Sequence, residues 1–322
     1  MKDRTLEDLR QTGPDATYRV EDMPLPSSAA ERPATGPSTE RAPLRAPSFV
    51  VGLVGRGIQL SKTPAMHERE ADQLGLRYVY RLIDFDRLGL PDSELGGILA
   101  AARRLGFAGL NVTHPFKQAV IAHLDGLSDD ARELGAVNTV VFEGDRAIGH
   151  NTDWWGFAES FRRNMPGQSL ESAILFGAGG AGVAVAHALM TLGTGRLTVV
   201  DTDPARAAGL AGDLCARFGA GRAEAGSAAD AARSAGIVNA TPVGMAKYPG
   251  LPLPEALIRP DHWVADIVYF PLKTELLATA RAKGCRILAG GGMAVFQAVG
   301  AFRLFTGAEP DPDRMQAHFD VL

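Results

Sequence analysis

The chain has 322 residues, of which 46% are hydrophobic and 22% are charged. This length predicts two domains, and the composition is that of a globular protein with a large core. A formal net charge of −4 without a basic stripe argues against a nucleic-acid partner. No apolar run reaches the roughly 18 residues needed to span a bilayer. The charged N-terminus and two isolated cysteines, Cys215 and Cys285, predict a cytoplasmic protein without a metal site.

Residues 1–47 differ in composition from the rest of the chain. They contain seven of the 20 prolines and lack apolar periodicity. Such a segment cannot bury enough apolar surface to offset the entropy that it would lose on ordering. We therefore predict a flexible, proline-rich tail at residues 1–47; a tail that binds a specific partner is the less favoured alternative.

The first ordered unit is predicted at residues 48–155. It begins with a buried strand, SFVVGLVG, and a helix, TPAMHEREADQLGL, in which Thr63 is the expected N-cap and Pro64 the first helical residue. RYVYRLIDF is a second strand, DSELGGILAAARRLG an amphipathic helix and FAGLNV a third strand. The alternation of strand and helix predicts a parallel α/β sheet.

A second α/β unit is predicted at residues 156–288. It opens with SAILFGAGGAGVAVAHALMTLG, and strands follow at RLTVVD, AGIVNAT and WVADIVY. A final helix, GGGMAVFQAVGAFRLFTG, lies within residues 289–322. Periodicity alone does not decide on which unit this helix packs. The predicted fold class is α/β with two α/β domains.

A glycine-rich loop opens the second unit. In ILFGAGGAGVAVAHAL a strand is followed by G-x-G-x-x-G, formed by Gly177, Gly179 and Gly182, and then by a helix. The first glycine allows a tight turn, the second lets the backbone approach a pyrophosphate, and the third lets helix and strand pack closely. The N–H groups at the helix start then face the phosphates. Because Asp201 ends the next strand about 20 residues on, the context favours a dinucleotide site over a glycine-rich turn without a ligand.

Asp201 indicates which dinucleotide is bound. A carboxylate at the end of the second strand accepts hydrogen bonds from a free ribose 2′-OH and repels a 2′-phosphate. A phosphate site would need Arg or Lys close by, whereas Thr-Asp-Pro comes next and the first cation is Arg206. We therefore favour NAD over NADP; the alternative is that Asp201 is only a solvated loop aspartate.

Three polar clusters stand near predicted strand and helix ends of the first unit: NVTHPFK, AVNTV with GHNTDWWG, and LSKTPAMH. In open α/β sheets, ligands bind at the carboxyl ends of strands. Hydroxyls, amides, one lysine and one aspartate suit a small, polyhydroxylated acid. The side chains concerned are Asn111, Thr113, Lys117, Asn138, Asn151, Thr152, Asp153, Ser61 and Thr63.

Lys117 and Asp153 are the predicted catalytic pair. Moving a hydride from a C–OH carbon to nicotinamide also requires loss of the hydroxyl proton, which a positioned acid/base group takes. A lysine does so where burial or nearby cations depress its pKa, and a close aspartate opposes that shift but orients the amine. The alternative is that Lys117 is a solvated surface charge. This alternative is weaker here because the three polar clusters occur together with a predicted nucleotide site.

Together these segments resemble the shikimate dehydrogenase family, which includes the quinate/shikimate dehydrogenases. NVTHPFK is similar to the family's N-V-T-x-P-x-K, GHNTDWWG to its G-x-N-T-D-x-x-G, and FGAGGAG to its cofactor loop. NATPVGM, DIVYFPLKTELL and GGGMAVFQ resemble three further family segments, and the likeness covers roughly residues 50–308. It implies an N-terminal substrate domain and a Rossmann dinucleotide-binding domain, with the active site between them and the C-terminal helix returning to the first.

The resemblance also implies roles for individual residues. The catalytic pair would be Lys117 and Asp153. Substrate binding would involve Ser61, Thr63, Asn111, Thr113, Asn138, Tyr269 and Gln297. Cofactor binding would involve Gly177, Gly179, Gly180, Ala181, Gly182, Thr241, Val243, Met245, Val268, Gly290 and Met293, to which we add Asp201 and Arg206.

Two departures from the biosynthetic pattern favour one branch of the family. The usual S-x-S is Ser61-Lys62-Thr63 here, and the usual N-R-T, whose arginine faces the NADP phosphate, is Asp201-Thr202-Asp203. Both changes resemble the NAD-dependent quinate/shikimate dehydrogenases, which oxidise the C3 hydroxyl reversibly. The alternatives are an NADP-dependent biosynthetic shikimate dehydrogenase and a non-catalytic ligand sensor. We expect a small-molecule substrate, no membrane partner, and a monomer or homodimer.

Overall fold

The computed structural model describes residues 46–322, so the tail predicted at residues 1–47 lies outside the described residues except for its last two. The described chain forms two six-stranded sheets flanked by helices. This arrangement confirms the predicted fold class of two α/β domains. No helix within residues 46–322 is long and apolar enough to cross a membrane.

The first sheet is mixed, with the strand order β2-β1-β3-β5-β6-β4. Its strands are β1 (Ser48–Gly55), β2 (Arg77–Asp84), β3 (Gly109–Val112), β4 (Gly126–Leu127), β5 (Thr139–Glu143) and β6 (Arg146–His150). β1 is parallel to β2 and β3, whereas β5 is antiparallel to β3 and β6. The three predicted strands β1, β2 and β3 are thus parallel, as expected, but the sheet as a whole is mixed because it also contains β5. After β5 the chain turns back at Gly144, where φ is +60°, and forms the β5–β6 hairpin.

The second sheet is wholly parallel, with the strand order β12-β11-β10-β7-β8-β9. Its strands are β7 (Ser172–Phe176), β8 (Arg196–Val200), β9 (Ala223–Ala225), β10 (Gly236–Asn239), β11 (Trp263–Asp266) and β12 (Arg286–Leu288). The order reverses between β7 and β10, as in a Rossmann domain. Ligands bind at the carboxyl ends of the strands beside such a reversal.

Ten α-helices connect and cover the sheets within the described residues. They are α1 (Thr63–Gln73), α2 (Phe85–Leu88), α3 (Leu95–Arg104), α4 (Asp129–Leu134), α5 (Asp153–Asn164), α6 (Gly180–Thr191), α7 (Pro204–Phe218), α8 (Glu275–Ala282), α9 (Gly291–Thr306) and α10 (Pro312–Phe319). Short 3₁₀ helices lie at Asp92–Glu94, Ala119–His123, Ala228–Arg233 and Glu255–Leu257. In α3, Leu95, Leu99 and Ala102 recur at helical spacing and are buried against the first sheet.

Helix α9 packs on α5 and on the first sheet, which confirms that the C-terminal helix returns to the first domain. Glycines allow both approaches. A Cβ atom on Gly156 of α5 would lie 2.7 Å from Gln297 N, and one on Gly109 of β3 would lie 2.5 Å from the Phe305 ring. Phe302 of α9 also stacks on Tyr78 of β2, with ring centroids 5.4 Å apart. The helix therefore brings Gln297 beside the start of α5.

Candidate active site

Lys117 and Asp153 meet beyond the carboxyl ends of β3 and β6 in the first sheet. Lys117 Nζ donates to Asp153 Oδ2 at 2.5 Å, and the two side chains are 22% and 9% exposed. Lys117 follows β3 in a turn that is anchored by the buried Phe116, whose ring lies 4.6 Å from that of Phe85. Val137 N also donates to Lys117 O at 2.8 Å. The turn thus holds the lysine backbone while the amine remains partly accessible.

Asp153 is the first residue of α5, where the helix dipole favours a negative charge. Its backbone N–H donates to Asn151 Oδ1 at 3.0 Å. Its Oδ1 accepts from Asn138 Nδ2 at 2.9 Å, and the same amide donates to Thr152 Oγ1 at 2.9 Å. Both carboxylate oxygens are therefore engaged by donors before any substrate binds.

Asn111, in β3, contacts Asn138, the residue that donates to Asp153. Its Nδ2 donates to Asn138 O at 3.3 Å and to Thr139 Oγ1 at 3.0 Å. Thr113, one residue beyond β3, donates its backbone N–H to Val54 O at 2.9 Å. Hydrogen bonds thus join Asn138 to Asp153, and Asn111 to Asn138.

Ser61 and Thr63 stand at the start of α1. The helix begins at Thr63, and its N-cap is Lys62, which makes no side-chain capping bond. The prediction of Thr63 as the N-cap is therefore wrong by one residue. Instead, Ser61 Oγ accepts from Thr63 N at 3.3 Å. Within residues 46–322, no hydrogen bond joins either hydroxyl to Lys117 or Asp153.

Gln297 and Tyr269 approach the same group from other elements. Gln297 O accepts from Thr152 Oγ1 at 3.0 Å, and its Nε2 donates to Ala294 O at 2.9 Å. Removal of water from around the Tyr269 phenol raises its pKa; the charge of Lys117 lowers that pKa and the charge of Asp153 raises it. Tyr269, which follows β11 of the second sheet, is therefore electrostatically coupled to the pair on the first.

The glycine loop (residues 177–182) joins β7 to α6. A Cβ atom on Gly182 would lie 2.0 Å from Gly177 O, and one on Gly177 would lie 2.7 Å from Ala240 O. Gly177 also has a φ of +101°, a conformation that favours glycine. Close backbone packing therefore requires glycine at both positions.

The glycine loop has free space beside it at the start of α6, which we call its open side. A Cβ atom on Gly179 or Gly180 would meet nothing within 4 Å. Gly179 is the N-cap and makes no side-chain capping bond, so no cap side chain covers the N–H groups of the first turn, which includes Ala181. Backbone donors at an uncovered helix N-terminus suit a pyrophosphate. The residues present thus fit a dinucleotide.

Asp201 follows β8 and is held beside the glycine loop. Its Oδ2 accepts from Ala178 N at 2.7 Å, and its Oδ1 accepts from Asp203 N at 2.9 Å. Burial alone would raise the pKa of this carboxyl. The two backbone N–H bonds outweigh burial, and the charge of Arg206 adds to them, so the pKa lies below its ordinary value. Arg206 itself is 3.5 Å from Asp203 Oδ2, and its side chain is 66% exposed.

Asn239, at the end of β10, organises the loop that follows it. Its Oδ1 accepts from Thr241 N at 3.1 Å and Thr241 Oγ1 at 2.7 Å, and its Nδ2 donates to Val243 O at 2.8 Å. The same amide donates to Asp266 Oδ1 at 3.0 Å. Met245, farther along the loop, is 41% exposed. Thr241 and Val243 are thus fixed by a residue that the sequence analysis did not single out.

Asp266, at the end of β11, holds the loop that follows that strand, as Asn239 holds the loop after β10. Its Oδ1 accepts from Val268 N at 3.0 Å and its Oδ2 from Thr274 Oγ1 at 2.6 Å. Burial raises its pKa, and these hydrogen bonds oppose the rise. A Cβ atom on Gly290 would lie 2.4 Å from Ile267 O, so this loop packs closely against the start of α9. Met293, in the first turn of α9, places its carbonyl 2.8 Å from a Cβ on Gly156 of α5.

Sequence reasoning missed several residues that support the site. Asn239 and Asp266 are the first residues of NATPVGM and DIVYFPLKTELL. A polar side chain at the carboxyl end of a buried parallel strand is the signal that could have identified both. Tyr80 and Thr139 gave no such signal, because each lies within a strand. Their contacts depend on which strands become neighbours.

Comparisons with known proteins show which chains and structures this one is similar to. A family model described as the shikimate dehydrogenase substrate-binding domain matches residues 53–140. A relative from Streptomyces avermitilis named shikimate dehydrogenase (NADP(+)) is 61% identical over 85% of this chain and 96% of its own length. One from Corynebacterium efficiens named quinate/shikimate dehydrogenase (NAD(+)) is 48% identical over 84% and 98%. The solved structure of quinate dehydrogenase from Corynebacterium glutamicum in complex with NAD is 48% identical, with a TM-score of 0.81 over 85% of this chain and 99% of that one.

Proposed function

The chain belongs to the shikimate dehydrogenase family, and we propose that within this family it is an NAD-dependent quinate/shikimate dehydrogenase. Its relatives are oxidoreductases that act on a CH–OH group with a pyridine nucleotide. The proposed reaction is the reversible oxidation of the C3 hydroxyl of quinate or shikimate to the 3-dehydro acid. The bound nucleotide supplies the hydride acceptor.

Lys117 and Asp153 are proposed to handle the proton of this reaction. As the C3 carbon is oxidised, Lys117 Nζ accepts the hydroxyl proton, and Asp153 Oδ2, at 2.5 Å, holds the resulting ammonium. In the reverse direction the same ammonium returns the proton to the oxygen. Thr113, Tyr269 and Gln297, with Ser61 and Thr63, are proposed to supply the hydroxyl and amide groups that a polyhydroxylated acid requires. Asn111 and Asn138, whose side-chain amides donate within the protein, are proposed to support these groups from behind.

The observation that carries the preference for NAD is the fixed carboxylate of Asp201. Two backbone N–H groups hold it at the end of β8, and its lowered pKa keeps it ionised at neutral pH. An ionised carboxylate there favours a free ribose 2′-OH and repels a 2′-phosphate. The quinate/shikimate relative named for NAD(+) supports the same choice.

An NADP-dependent shikimate dehydrogenase is the second candidate. The Streptomyces relative is named for NADP(+), and the exposed Arg206 follows Asp201 by only five residues. The two candidates share the fold and the proposed catalytic pair, and they differ in the nucleotide and in whether quinate is also a substrate.

Initial rates in a two-by-two grid, quinate or shikimate with NAD or NADP, test the proposal. We expect activity with NAD on at least one acid. We also expect the double variant Asp201→Ala/Thr202→Arg to shift kcat/KM toward NADP by about tenfold or more, because it removes the repulsion and adds a cation. Wild-type activity confined to shikimate with NADP would establish the second candidate instead. An NAD preference that survives in the variant would show that Asp201 does not decide the choice of nucleotide.

A further inference from the structure

A chain of buried hydrogen bonds leads from Tyr80 to Asp153. Tyr80 OH donates to Asn111 Oδ1 at 2.7 Å, and Asn111 Nδ2 donates to Thr139 Oγ1 at 3.0 Å. Thr139 Oγ1 in turn donates to Asn138 Oδ1 at 3.0 Å. Asn138 Nδ2 completes the chain by donating to Asp153 Oδ1 at 2.9 Å. All five residues are buried, with exposed fractions of 6% or less.

The chain connects elements that are distant in sequence. Tyr80 is in β2 and Asn111 in β3, and β1 lies between these two strands. Strands separated by one neighbour are on the order of 10 Å apart, so a long side chain is required to cross β1. Tyr80 provides that length. Its hydroxyl is the only part of β2 with a hydrogen bond to this network within the described residues.

Every hydrogen bond in the chain has a forced direction, beginning from Asp153. The carboxylate only accepts, so the amide NH₂ of Asn138 must face it. The Oδ1 of Asn138 then faces Thr152 N, a group that only donates, at 2.8 Å. This oxygen must also accept from Thr139, whose hydroxyl proton is thereby committed.

The same reasoning fixes the far end of the chain. Because the Thr139 proton is committed to Asn138, its oxygen accepts, and the NH₂ of Asn111 must face it. That NH₂ also donates to Asn138 O at 3.3 Å, a carbonyl that only accepts. Asn111 Oδ1 therefore faces Tyr80, whose phenol must donate. All the donors point toward Asp153, and hydrogen bonds aligned in this way polarise one another.

We propose that Tyr80 and Thr139 are positioning residues for the Lys117–Asp153 pair, an inference that rests on the proposed function of that pair. They act through Asn111 and Asn138 to hold Asp153 Oδ1, which leaves Oδ2 directed at the Lys117 amine. Neither residue touches the reacting atoms. Their effect is on the geometry from which the proton is transferred, where small displacements reduce rates strongly.

The environment of Tyr80 suits this role. Burial raises the pKa of its phenol well above the ordinary value, so the hydroxyl is protonated and can donate at neutral pH. The neighbouring Tyr78 of β2 makes a different contact, since its hydroxyl lies 2.9 Å from His67 Nδ1. Tyr78 is thus a natural control for the loss of a hydroxyl from the same strand.

The decisive experiment compares kcat, the KM for the nucleotide and the melting temperature of Thr139→Val and Thr139→Ser. Valine keeps the shape but removes the hydroxyl, whereas serine keeps the hydroxyl. We expect Thr139→Val to lower kcat roughly tenfold with an unchanged nucleotide KM, and Thr139→Ser to restore most of it. Tyr80→Phe should lower kcat by a smaller factor, and Tyr78→Phe should leave it at the wild-type value.

The double variant Tyr80→Phe/Thr139→Val tests whether Tyr80 and Thr139 act through one chain of hydrogen bonds or have two independent local effects. If both residues act through the same hydrogen bonds, the double variant has about the kcat of Thr139→Val alone, since coupled residues are not additive. A wild-type kcat in Thr139→Val would overturn the proposal. So would equal losses in the valine and serine variants, or multiplicative losses in the double variant. A wild type that is inert in all four substrate and nucleotide pairs would instead remove the proposed function, and this inference with it.

Discussion

The proposed catalytic pair, Lys117 and Asp153, and the glycine loop are built from different parts of the chain. Around Lys117 and Asp153, side chains supply the contacts, since Asp153 accepts from both Lys117 and Asn138, and Asn138 is held in turn by other buried groups. In the glycine loop, the backbone supplies the contacts, and side chains are missing where they would obstruct. In one region, side chains thus hold Asp153 in place before a ligand binds, and the other region is an opening that a ligand would complete.

This difference matches the different requirements of proton transfer and of nucleotide binding. A proton must be transferred over a short and defined distance, which requires side chains whose orientations are locked. A pyrophosphate requires only N–H groups and room, which a helix N-terminus with glycine provides. Changes in the first region should therefore alter turnover, whereas changes in the second should alter nucleotide affinity or stability.

The largest expected effect is on turnover in Lys117→Ala. We expect kcat to fall by about 10²- to 10⁴-fold, because the proton acceptor is lost, while the Kd for the nucleotide stays unchanged. Steady-state rates and fluorescence titration with the nucleotide measure the two quantities. Lys283→Ala is the control, since Lys283 donates to Glu255 O in the second domain and should affect neither. A variant with wild-type turnover would show that Lys117 is not the proton acceptor.

The glycine loop should divide into two classes of position. In Gly182→Ala the new methyl would collide with Gly177 O, and we expect the free energy of unfolding to fall by roughly 1–3 kcal/mol. In Gly180→Ala the methyl enters open space, so stability should hold while nucleotide affinity drops. Urea unfolding of both variants, with and without the nucleotide, distinguishes these outcomes. Equal losses of stability would contradict the assignment of Gly180 to the open side.

The smallest effect concerns the pH dependence of stability through Asp201. Its pKa is lower in the folded protein, so its contribution to stability is present above pH about 4 and is lost as the pH falls through the lowered value. We therefore expect Asp201→Asn to be less stable than the wild type at pH 7 and the difference to shrink toward pH 3. Urea unfolding between these pH values provides the measurement. Asp213→Asn, at an exposed position on α7, is the matched control for replacing an aspartate by an asparagine.

Local patterns were sufficient to predict most of the fold. A run of buried apolar residues specified β1 and β7, and a glycine sequence followed by a helical pattern specified the turn into α6. The β5–β6 hairpin was missed, because its two short strands lie between polar clusters that attracted a functional interpretation. Periodicity also could not predict on which domain α9 packs, because a helix that is buried on most faces has no single apolar stripe.

The sequence by itself determined the fold class, the dinucleotide-type loop and the residue types of the candidate site, because each depends on neighbours within a few residues. Only the tertiary structure decided that Asp153 accepts from both Lys117 and Asn138, and that Tyr80 reaches Asn111 across β1. Those contacts join residues 15 to 36 positions apart. They exist because the order of the strands brings particular side chains to one face, and no local pattern encodes that order.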